Sequence, residues 1–259
     1  MPSAPLGATL HELDAPTRAL VRLAARIAGG TEDAMRAAFA ECLAKGVSTV
    51  WTEEVILQSC LFAGFPRSLN AAREWRRMSG VPAPGAAPSA APGEGTARGG
   101  VTARAVADVS AGAGPTGAGP TGAGPTDSYA DVFDWRVSGE ATCATVYGRF
   151  YDKLRDNIRA LHPALDDWMI VDGYGKVLSR PGLDLARREL CIVAACVATA
   201  QDRQLHSHLH GARHAGVSDA TVLEALRALD GAVAPDDLAR ATLLWDKVAR
   251  QEPRAAASH

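Results

Sequence analysis

LDAPTRALVRLAARIAGGTEDAMRAAFAECLAKGVS, residues 13–48, and LDLARRELCIVAACVATAQDRQLHSHLHGARHAGVS, residues 183–218, decide the fold between them. They align at an offset of 170 residues without a gap. Leu13-Asp14 returns as Leu183-Asp184, Arg18-x-Leu20 as Arg188-x-Leu190, and Gly46-Val47-Ser48 as Gly216-Val217-Ser218. Each copy reads as an aspartate N-cap, a buried helix, a second helix and a glycine stop, so the chain carries a duplicated helical hairpin.

Working outward, apolar residues recur at helical spacing and strand-like alternation is scarce, which makes the fold class all-α. In the first half, helices are expected from Asp14 to about Ala28, from Glu32 to Lys45, from Thr52 to Leu61 and from Arg67 to Met78, with Gly64-Phe65-Pro66 breaking the last two apart. In the second half they are expected at 141–161, 164–178, 185–199, 202–215, 219–229 and 236–249. Asp184 and Ser218 act as N-caps, and Pro163 and Pro235 fall in first turns.

Between the halves, from about Val81 to Asp127, the composition turns to Ala, Pro, Gly, Ser and Thr and ends in three Gly-Ala-Gly-Pro-Thr repeats. This reads as a disordered linker with a reach of roughly 35–40 Å, which leaves the halves many relative placements. The domain organisation is therefore a degenerate helical half at 1–80, a linker at 81–127 and an equipped helical domain at 128–259.

The formal net charge of −2 removes any global basic field for nucleic acid or an anionic membrane. The longest apolar run, Leu190 to Ala200, is too short for a span of about 20 residues, and no secretory signal is read at the start, so a cytoplasmic location is expected. Cys42, Cys60, Cys143, Cys191 and Cys196 lack CxxC spacing and read as small buried hydrophobes.

Comparing the copies locates the chemistry. Glu189 stands where the first copy has Ala19, and His208 where it has Ala38, so only the second copy holds groups able to move a proton. On the same helix His206, His210 and His214 are spaced by four and share a face, which is either a pairwise chelating site for zinc, copper or nickel or a solvated polar stripe; no metal is expected.

Gly173-Tyr174-Gly175-Lys176-Val177-Leu178-Ser179-Arg180-Pro181-Gly182-Leu183-Asp184 with Arg188-Glu189-Leu190 resembles the carboxymuconolactone decarboxylase family, of the alkylhydroperoxidase D-like superfamily. So does Leu205-His206-Ser207-His208 with Gly211-Ala212 and Ala215-Gly216-Val217-Ser218. In the first half, Glu54 to Pro66 with Asn70 looks like the segment that normally follows the histidine hairpin. Each half keeps what the other has lost, which suggests a composite site of Glu189 and His208 facing Gln58, Phe62, Phe65 and Asn70, in the same chain or a neighbour.

The resemblance implies two helical halves of this superfamily and a homotrimer of two-copy chains with six pseudo-equivalent halves; the alternative is internal pairing of the halves in a monomer. It also implies a carboxy-lyase that works without a cofactor on a small carboxylated lactone, with His208 and Glu189 catalytic and Arg180 or Arg188 holding a substrate carboxylate. Glutamate at position 189 is commoner in the broader family than in dedicated decarboxylases. The redox branch places a CxxC pair near Gln201 and Gln204, so a peroxidase-related role lacks its thiols. A non-catalytic oligomeric binding or scaffold protein is the other class left open.

Overall fold

Short polar side chains set the helix starts. Asp14 accepts a hydrogen bond from the Thr17 amide at 2.7 Å and opens α1, Ala15–Gly29; Thr31 accepts from Ala34 and opens α2, Glu32–Ala44. Gly46 then reverses the chain at a φ of 68°, which a side chain would resist, and Ser48 caps α3, Thr49–Ser79. α3 is kinked at Gly64, whose φ of 78° interrupts it just before Pro66. The structure, a computed structural model, describes residues 10–82 and 132–251, so the expected linker lies almost wholly outside the described residues.

Among the described residues, the second half begins with five elements that have no counterpart in the first. They are α4 (Val132–Tyr147), a 3-10 turn (Gly148–Phe150), α5 (Tyr151–Leu161), α6 (Pro163–Trp168) and a π-helical segment, Met169–Leu178. The single helix expected at 141–161 is therefore two, broken at Gly148 with φ 53°, and the expected 164–178 helix changes to π geometry midway. α4 crosses the π-helical segment at closest range: a Cβ on Gly175 would lie 2.0 Å from the Trp135 carbonyl oxygen, and one on Gly139 2.1 Å from that of Ile170.

The repeat then returns in register. α7 (Leu185–Ala198), α8 (Asp202–His214) and α9 (Asp219–Ala228) begin at 185, 202 and 219 against 15, 32 and 49, an offset of 170 each time. Asp184 and Ser218 cap α7 and α9 as Asp14 and Ser48 cap α1 and α3. α10, Pro235–Ala249, closes the chain's described part.

The described residues of both halves form one compact unit, which corrects the expectation of many relative placements. Arg187 donates to Thr17 Oγ1 at 2.9 Å where α1 and α7 start, and Gly29 abuts Ala198 where they end, so the two helices run parallel and side by side. Thr17 and Arg187 are repeat equivalents, and equivalent positions touch only near a pseudo-twofold axis. Arg187 also reaches both capping carboxylates, Asp184 at 2.8 Å and Asp14 at 3.3 Å. Even a fully flexible connector of this length would cost only ~3–4 kcal/mol in loop closure. Burial of Leu20, Leu23, Ile27, Leu190 and Val197 in one shared core contributes roughly 1.5–3 kcal/mol each and outweighs that cost.

The packing is reciprocal. α3 of the first copy covers α7 of the second, and α9 of the second covers α1 of the first. Among the described residues no strand occurs beyond an isolated bridge, Leu10 to Val217, and no helix is long and apolar enough to cross a membrane.

Candidate functional site

Because α7 and α8 form the hairpin of the second copy, a residue in the second turn of α7 meets one midway along α8. Glu189 Oε2 lies 2.8 Å from His208 Nδ1, with Glu189 fully buried and His208 only 5 % exposed. Gly211, three residues after His208, makes the approach possible: a Cβ there would stand 2.5 Å from Glu189 Oε2 and 2.7 Å from Val146 Cγ1. The second carboxylate oxygen, Oε1, is buried with no hydrogen-bond partner among the described residues. With Nδ1 engaged, His208 Nε2 has no partner there either.

The first copy does reach this pair. Phe62, on α3 just before the kink, meets the His208 ring edge to face with centroids 5.7 Å apart. Gln58, one turn earlier, donates to the Arg188 carbonyl oxygen at 3.1 Å, on the residue next to Glu189. Phe65 is 71 % exposed, beyond the kink, and Asn70 accepts from Arg73. Among the described residues neither makes a hydrogen bond or ring contact with the pair within the chain. In the first copy, Ala19 and Ala38 are buried core residues.

Two tyrosines outside the sequence expectation complete the surroundings. Tyr147, at the end of α4, and Tyr174, on the π-helical segment, meet edge to face at 6.3 Å. Burial pushes the Tyr147 phenol up to about 12 and raises Tyr174 well above the ordinary phenol value, and the nearby Glu189 carboxylate adds to both. Both therefore stay protonated at neutral pH. The signal for Tyr174 was its place in Gly173-Tyr174-Gly175, since the glycine after it permits the close crossing that buries the ring. The thiols nearest the carboxylate, Cys143 and Cys196, are pushed up to about 12 by burial, and the redox positions Gln201 and Gln204 are exposed amides.

The arginines expected to bind a substrate carboxylate both have partners within the chain. Arg188 is fully buried, and its donors are taken by the Leu183 and Arg180 carbonyls at 3.0 Å, Gln58 Oε1 at 3.4 Å and Glu54 Oε2 at 2.8 Å. Arg180 Nε lies 3.2 Å from both oxygens of the same Glu54. Together they clamp the Arg-Pro-Gly-Leu turn of the second copy onto α3 of the first.

The three stripe histidines share one face of α8, with centroids 4.9 Å apart for His206 and His210 and 6.5 Å for His210 and His214. Among the described residues no group of three or more His, Cys, Asp or Glu is arranged to hold a metal ion. Instead the stripe lines a cleft of about 290 Å³ between α8 and the α4–α5 junction.

A family model described as "Carboxymuconolactone decarboxylase family" matches residues 6–77 and 163–247, one stretch in each half and more than half of the chain in all. No curated protein matches the chain.

Proposed function

The chain belongs to the carboxymuconolactone decarboxylase family, and from that premise we propose that it is an enzyme which, without a cofactor, decarboxylates a small carboxylated lactone or related cyclic acid. One observation carries the reading: a buried carboxylate holds His208 by Nδ1 at 2.8 Å and leaves Nε2 free. That is the arrangement of an oriented acid–base imidazole.

In the proposed reaction the bond between the ring carbon and the carboxylate breaks, CO2 leaves, and the electron pair is delocalised into the conjugated lactone carbonyl. His208 Nε2 then delivers a proton to the carbon α to that carbonyl, the ring double bond ending at the carbon that lost CO2, while Glu189 stabilises and orients the imidazole through Nδ1. Phe62 shields the imidazole from water on one side. Arg188 has no part in it, its donors being taken by the protein.

A second reading, a non-catalytic binding or scaffold protein, is favoured by a different observation. Neither Glu189 nor His208 lines the cleft walled by His206, His210 and His214, and both are buried, so a substrate needs an opening to reach them. Assembly into a homotrimer belongs to the same proposal, supported by Val50, Leu57 and Leu61, which share an exposed face of α3, and by Phe65 and Leu69 after the kink.

The test is CO2 release from a panel of carboxymuconolactones by the wild-type chain and by Glu189→Gln. Release that falls on the order of a hundredfold in the variant supports the enzyme. No release from any member by the wild type supports the scaffold.

A further inference from the structure

The face of α8 opposite the Glu189–His208 pair belongs to a second constellation. His206, His210 and His214 form one wall of the cleft, and the end of α4 with the start of α5 forms the other. Among the described residues no carboxylate appears in its lining. The arginines nearby are engaged elsewhere, Arg155 and Arg159 with Asp166 and Arg213 with Asp219. Lys153, which lines the cleft and is exposed, has no carboxylate partner among the described residues.

The rest of the lining fits one class of ligand. Phe150 is half exposed, with the Arg149 guanidinium 4.6 Å from its ring centroid, and it lines the cleft together with Tyr147, so the wall offers two aromatic rings. Ser207 and Asn157 add neutral hydrogen-bonding groups. His214 Nδ1 is held by the Val146 carbonyl at 2.8 Å, which fixes that ring against the back of the cleft. His210 is held down to about 4 by burial and by its neighbours His206, His214 and Arg213, so it is neutral at pH 7 and makes no charge demand on a ligand. The volume lies at the small end of the range for ligand sites.

We propose that this cleft binds a small planar organic carboxylate, its ring against Phe150 and Tyr147 and its carboxylate paired with Lys153. The site is separate from the proton-transfer pair and does not rest on the activity assigned to it. Tyr147 nonetheless connects them, since it lines the cleft and packs on Tyr174 beside Glu189.

Calorimetric titration of the full chain with benzoate, with benzamide and acetate as comparators, tests the proposal. Benzoate is expected to bind more tightly than its neutral isostere benzamide or than acetate, which has no ring. Lys153→Ala should weaken benzoate on the order of tenfold, the value of one charge-assisted hydrogen bond. Phe150→Ala should weaken benzoate and leave acetate unchanged. Because binding is read without turnover, His208→Ala should retain benzoate affinity whether or not the chain is a decarboxylase. The absence of saturable benzoate binding, or benzoate affinity indifferent to Lys153→Ala, overturns the proposal.

Discussion

Phe62 of the first copy meets His208 of the second edge to face at 5.7 Å, so the candidate site is assembled across the repeat within one chain. The degenerate copy thus supplies a wall and no proton-moving group. Phe62→Ala should lower turnover while costing no more than about 2 kcal/mol of stability, since the ring is partly buried and such a pair contributes ~0.5–1.5 kcal/mol beyond its area. Turnover and urea unfolding measured on the same preparation separate the two effects.

Glu54→Gln should destabilise the chain by about 3–5 kcal/mol, because it leaves Arg188 buried beside a neutral amide. Asp33→Asn, which removes an exposed partner of Arg36, should leave the urea midpoint close to that of the wild type. The difference in urea midpoints reads out the clamp between the copies.

Gly211→Ala places a methyl group 2.5 Å from Glu189 Oε2 and 2.7 Å from Val146. A loss of about 1–3 kcal/mol or more is expected, with the Glu189–His208 hydrogen bond displaced. Thermal unfolding and the His208 imidazole resonance check both parts.

His210 gives a pH dependence with a definite sign. Its value falls from the ordinary 6.5 to about 4 in the folded chain, so between those values the unfolded chain binds more protons. Stability should be full above pH 6.5 and decline as pH falls towards 4. His210→Gln should flatten the slope of urea stability against pH over that window.

Much of this was legible in the sequence because it depends on neighbours. Asp14, Ser48, Asp184 and Ser218 cap helices through amides three residues on, and the offset of 170 residues holds for the starts of three successive helices. Glu189 and His208 lie on two adjacent helices of one hairpin, so their meeting followed from the repeat. The docking of the halves was not legible, because linker composition reports reach and says nothing about the α1–α7 interface. Arg188 was read as a ligand-binding arginine since its partner, Glu54, stands 134 residues away. Gly148 was missed because an isolated glycine within a helical pattern does not by itself signal a break, and π geometry at Met169–Leu178 leaves the apolar spacing almost helical.

Decarboxylation of a 4-carboxymuconolactone in deuterated water, followed by rate and by product mass for the wild type and His208→Gln, bears most directly on the proton-transfer account. The expected result is one solvent deuterium on the carbon α to the lactone carbonyl, where the delocalised electron pair takes up its proton, and a rate lowered at least about a hundredfold in the variant. A His208→Gln chain that turns over at the wild-type rate contradicts it.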